Sequence, residues 1–123
     1  NDFNQYDDDI IGWDCANGNN DPFPFDVSDS WWSHGTHVAG IVGAVTDNNL
    51  GIASLSLNRV RIIPVKSKAD FTSGNQLNST IGGIKYAIAA GANIINMSWG
   101  SEYAPDDFLY NNALQMRLMK QVN

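Results

Sequence analysis

Ser33-His34-Gly35-Thr36-His37-Val38-Ala39-Gly40 places two imidazoles three residues apart at the head of an apolar helical pattern. An imidazole takes and returns a proton close to neutral pH. A general base needs three things: a fixed backbone, a nucleophile within hydrogen-bond reach and a carboxylate that orients the ring. Placing His34 at a helix start supplies the first. Gly35 has no Cβ, so a second chain can come close. The Thr36 hydroxyl can satisfy neighbouring backbone groups. Two other uses of the segment stand beside this one. His34 can simply cap a buried helix, or His34 and His37 can share a helix face and bind a metal. No third His, Cys or Glu lies at ligand spacing, which argues against zinc.

The elements that must position this histidine follow from the pattern of apolar residues. Residues 1–33 read as an Asp/Asn-rich loop, with Pro22 and Pro24 opposing helix. Residues 34–45 read as a helix with Ser33 as N-cap and Val38, Ile41, Val42 and Val45 on one face. Residues 46–49 form a polar turn. Residues 59–66 are rich in β-branched side chains and read as a strand, although Pro64 near its end cannot donate to a central ladder. A polar loop, 67–77, leads to a helix over roughly 79–90 that stops at Gly91. Residues 93–98 read as a buried strand and 106–121 as a last helix. Strand, helix, strand, helix in this order predicts an α/β fold with a parallel sheet flanked by helices. Residues 1–123 hold no internal domain boundary, so the loop 1–33 and the helix/strand part 34–123 belong to one unit.

Bulk properties narrow the classes. The 123 residues allow one small domain and are 43% hydrophobic. A net charge of -6 argues against nucleic acid and anionic membrane as partners. Cys15 is the single cysteine, so there is no internal disulfide. No apolar run reaches the length of a membrane span. The sequence starts at Asn1 inside an acidic loop, without signal peptide or initiator Met, and reads as a processed or truncated piece of a longer protein.

The histidine segment resembles the motif of the subtilisin-like serine proteases, and the likeness extends over most of the chain. Gly12-Trp13-Asp14 with the Asn/Asp-rich loop after it, His34 through Ala53, and Gly82-Gly83-Ile84-Lys85-Tyr86-Ala87 followed by Gly91 to Gly100 come in that family's order and spacing, closest to its thermitase-like branch. The resemblance implies an incomplete subtilisin-like three-layer α/β fold and makes His34 the catalytic general base. It makes Ser98, Trp99 and Gly100 the segment whose backbone pairs with an extended peptide and walls the primary pocket. Gly74 and Asn75 would be the opposite edge. A peptide held as an added strand is bound through its backbone, which suits broad endopeptidase action. Three family features have no match: the catalytic Asp, since Asp2, Asp7, Asp8 and Asp9 sit in a loop; the Ser of a Gly-Thr-Ser-Met-Ala segment; and the oxyanion Asn.

The same resemblance implies calcium and no organic cofactor. Calcium takes six to eight oxygens. Asp14, Asn17, Asn19 and Asp21 alternate such ligands in a tight loop, with Asn standing for Asp at two positions. A weaker second site would use the carbonyls of Val45, Leu50 and Ile52 and the side chain of Asn48. Both stretches also fit plain Asn/Asp turns. The expectation is therefore a partial peptidase domain of a secreted, extracellular serine endopeptidase. Its partners are a polypeptide substrate and the remainder of the catalytic domain, with no nucleic acid or membrane. The chain alone is expected to be inactive. The alternative is a non-catalytic peptide-binding or regulatory remnant of the same fold.

Overall fold

The computed structural model describes residues 5–100. Four regular elements occur there: β1 (Trp13–Asp14), α1 (Ser30–Gly43), β2 (Val65–Lys66) and α2 (Thr80–Ala89). The strands pair in parallel, Trp13 against Val65 and Asp14 against Lys66. The architecture is α/β around a parallel pair, as expected for an incomplete fold of this kind. The helix expected over 106–121 lies outside the described residues.

Gly12 sets the entry to β1. Its φ is +122°, and a Cβ there would lie 2.3 Å from the Pro64 carbonyl oxygen. That carbonyl accepts from the Trp13 N–H at 3.2 Å, and the Lys66 carbonyl accepts from Cys15 N–H at 2.8 Å. The short ladder thus falls inside residues expected to be loop. β2 is correspondingly shorter than the expected 59–66. Pro64 has no N–H to give, and of residues 59–66 only Val65 and Lys66 find a strand partner among the described residues. Residues 93–98 carry no ladder either.

α1 begins earlier than the Ser33 cap predicts. Asp29 is the N-cap, and its carboxylate accepts from Trp31 N–H at 2.9 Å. Aspartate at this position satisfies a helix-end donor that would otherwise be orphaned. Ser33 sits inside the first turn instead, its hydroxyl donating back to the Ser30 carbonyl at 3.1 Å. α2 matches its pattern closely. Ser79 precedes it, and Gly91 turns the chain at φ +79° while its N–H donates to Ile88 and that of Ala92 to Ala87.

α2 packs on β2 through its glycines. A Cβ on Gly83 would meet Ser67 Oγ at 2.7 Å and Val65 Cγ1 at 3.1 Å. This close approach buries Ile84, Ala87 and Tyr86, the last only 1% exposed. Tyr6, Trp13 and Tyr86 form one aromatic group, with Tyr6 edge-on to both others at 5.2 and 4.8 Å. Phe25, Trp32 and Phe71 form a second at the start of α1, with Phe25 4.4 Å from Phe71 and 5.9 Å from Trp32. Such edge contacts suit the ring quadrupole.

Candidate active site

His34 lies in the second turn of α1 with its ring exposed. Nε2 donates to the Ser98 carbonyl at 2.9 Å. One hydrogen bond therefore joins the histidine to the segment expected to bind a peptide, 64 residues later. Ser98 is itself held by Asn96, whose Nδ2 donates to Ser98 Oγ at 2.9 Å. Trp99 and Gly100 follow on the surface. A ring with its proton on Nε2 presents the Nδ1 lone pair as its basic atom when neutral. Nε2 becomes the base only after it leaves the carbonyl.

Gly74 and Asn75 lie in an exposed loop. The Gly74 carbonyl accepts from Lys68 Nζ at 2.7 Å, which ties this loop to the end of β2. His37 is exposed one turn after His34, and no cluster of three His, Cys, Asp or Glu able to hold a metal exists among the described residues.

Asp14 ends β1 and is completely buried. Its Oδ1 accepts from the N–H groups of Ala16 and Asn17, both at 2.9 Å. Its Oδ2 accepts from Asn17 Nδ2 at 2.8 Å and lies 2.9 Å from Lys66 Nζ. Burial alone would raise this carboxyl. The bonds from Lys66, Asn17 and Ala16 outweigh it and hold Asp14 below the ordinary aspartate value. Lys66 is held above the ordinary lysine value. Burial opposes its charge, but Asp70, 2.5 Å from Nζ, and Asp14 together outweigh that cost. Both lysines lie over Trp32, with Lys68 Nζ 4.2 Å and Lys66 Nζ 5.5 Å from the ring centre. Trp32 is two residues before His34, so this charged cluster sits under the turn that carries the histidine.

Sequence reasoning overlooked the Lys66, Lys68, Asp70 and Trp32 cluster. The visible signal was alternation: Lys66 and Lys68 project on one side of the chain next to a β-branched run, with Asp70 four residues after Lys66. The other candidate oxygens fold inward on their own loops. Asn19 Oδ1 accepts from Asp21 N–H at 2.9 Å, Asp21 Oδ1 from Phe23 N–H at 3.2 Å, and Asn48 Oδ1 from Leu50 N–H at 3.0 Å. Val45, Leu50 and Ile52 are exposed. Cys15 is half-buried, and burial followed by the Asp14 charge pushes its thiol up to about 11, which keeps it protonated and unreactive at neutral pH.

The model of the subtilase family matches residues 2–121. The chain is 44% identical over 70 residues to the cell wall-associated protease of Bacillus subtilis (strain 168), covering 57% of this chain and 8% of that protein. It is 39% identical over 93 residues to the thermophilic serine proteinase of Bacillus sp. (strain AK1), covering 76% of this chain and 21% of that protein. It is 36% identical over 91 residues to thermitase of Thermoactinomyces vulgaris, covering 74% and 30%. The chain thus spans less than a third of the length of these relatives. No solved structure matches it. His34, exposed in the second turn of α1 and joined to the Ser98 segment, lies within a parallel α/β frame, the family pattern spans the chain almost end to end, and the chain belongs to the subtilase family.

Proposed function

We propose that the chain carries the histidine part of the catalytic domain of a subtilisin-like serine endopeptidase. His34 is the general base. It takes the proton of a serine supplied from outside these 123 residues as that serine attacks a peptide carbonyl, and returns it to the leaving amine. Ser98, Trp99 and Gly100 offer backbone to an extended substrate, and the loop of Gly74 and Asn75 forms the facing edge. The observation that supports this reading is the bond from His34 Nε2 to the Ser98 carbonyl, which joins the histidine to the segment of residues 98–100. The named habitat of one relative, associated with the cell wall, supports action outside the cell.

The 123 residues contain no serine in a Gly-Thr-Ser-Met-Ala setting. On this reading they do not form an acyl-enzyme by themselves, because loss of one triad member already costs about 10⁴-fold or more. The test compares three proteins with a fluorogenic peptide and a serine-directed phosphonylating probe. The protein in its natural length should cleave and be labelled, and its His34→Ala variant should lose at least about 10⁴-fold in kcat. The 123-residue polypeptide should take up no probe. A natural-length protein that binds peptides but neither cleaves nor reacts would point instead to a non-catalytic remnant. Labelling of the 123-residue polypeptide would refute its inactivity.

A further inference from the structure

The loop over residues 14–21 alternates oxygen-bearing side chains in the manner of a calcium loop, yet its central carboxylate is already fully engaged. A carboxylate offers about four acceptor positions. All four of Asp14 have a donor: two backbone N–H groups, the Asn17 amide and the Lys66 ammonium. We infer that Lys66 is the resident cation of this loop, in the place a calcium ion would otherwise take, and that the loop folds without calcium.

Three observations carry this. First, Lys66 is built in. It is fixed opposite Asp14 by the ladder, its carbonyl holds Cys15 N–H, and its side chain is only 7% exposed. Second, its charge is matched on both sides, by Asp14 at 2.9 Å and Asp70 at 2.5 Å. A buried carboxylate requires such a partner, and a second cation at this distance would meet the ammonium's repulsion. Third, the other oxygens are poor recruits. Asn17 and Asn19 are neutral amides, and Asn19 Oδ1 and Asp21 Oδ1 are tied to their own turns. A calcium ion would have to expel Lys66 and leave its ammonium buried against Trp32.

Hydrogen exchange read by mass spectrometry on the natural-length protein tests this, with a His34→Ala background to prevent self-digestion. The reporters are the Ala16 and Asn17 amides, in a peptide that begins at or before residue 13 and runs through the loop, in millimolar calcium and in chelator. The parent should exchange equally in both. Lys66→Gln should exchange roughly tenfold faster or more in chelator, the scale of one charge-assisted bond lost, and calcium should slow it. Lys66→Arg should behave as the parent. The inference is overturned by a parent loop that calcium slows tenfold, by a Lys66→Gln loop with the parent's rate, or by a loosened loop that ignores calcium. Should Lys66→Gln fail to fold, the parent's response to calcium decides alone.

Discussion

Asp14 shows what a single buried charge demands. With no exposed surface and four donors on two oxygens, it is stabilised in the ionised form only. Removing the carboxylate by Asp14→Ala takes the acceptor from the Asn17 side chain and from the Ala16 and Asn17 N–H groups, and leaves Lys66 with Asp70 alone, at a cost of about 1.5–3 kcal/mol. The pH dependence has a definite sign. The folded carboxyl titrates below the ordinary value of 3.8, so its contribution is complete above about pH 4 and is lost as pH falls through the lower folded value. Asp14→Asn should therefore be less stable than the parent at neutral pH. The gap between their urea midpoints should narrow steadily below about pH 4. A gap that stays constant down to pH 2 would contradict a paired, depressed Asp14. At this scale the histidine was legible in the sequence because its motif is local, whereas the Asp14–Lys66 pair was not. Its partners come from two distant segments, and only the parallel register brings them together.

Between elements, the fold depends on places where no side chain fits. β1 reaches Pro64 only because Gly12 has no Cβ and accepts φ +122°. Gly12→Ala would push a methyl against the carbonyl that receives Trp13 N–H, and would also strain the backbone. The expected cost is roughly 2 kcal/mol or more. It should appear as a lower urea midpoint and as loss of protection at Trp13 and Cys15, while α2 amides keep theirs. Equal stability of the variant would show that β1 can move off Pro64. The elements themselves were unevenly legible. α2 carries its stop signal, Gly91, in the sequence, so its expected limits of roughly 79–90 lie close to Thr80–Ala89. α1 was placed four residues late because Ser33 looks like a cap in isolation, but Asp29 is the stronger acceptor and reaches Trp31 first. The strand expected over 59–66 is β-branched throughout, yet a ladder needs a neighbour as well as a propensity. Only its last two residues have one among those described.

At the scale of the whole molecule, the apolar pattern exceeds the apolar burial among the described residues. The buried hydrophobic set among the described residues is Trp32, Ile84, Tyr86 and Ala87. Against it stand Ile10 at 91%, Leu55 at 100% and Ile94 at 88% exposure, with Ile41, Val42 and Val45 uncovered along and after α1. Of these, Ile41, Val42 and Val45 are the face expected of a helix and Ile94 belongs to an expected buried strand, and that reading needs further layers to cover them. Exposed apolar surface of this extent on a small acidic chain marks contact with another polypeptide surface or self-association. A net charge of -6 opposes association by repulsion, but the repulsion is screened beyond about 10 Å at 0.1 M salt. A polypeptide of these 123 residues is therefore expected to bind an apolar dye and to run as a mixture of oligomers on light-scattering chromatography, more so as salt rises. Its thermal transition should be broad, because a core of a few side chains cannot make unfolding cooperative. A monodisperse monomer with a sharp melt would mean that the exposed faces of α1 and of residues 93–98 pack in a way these contacts do not provide.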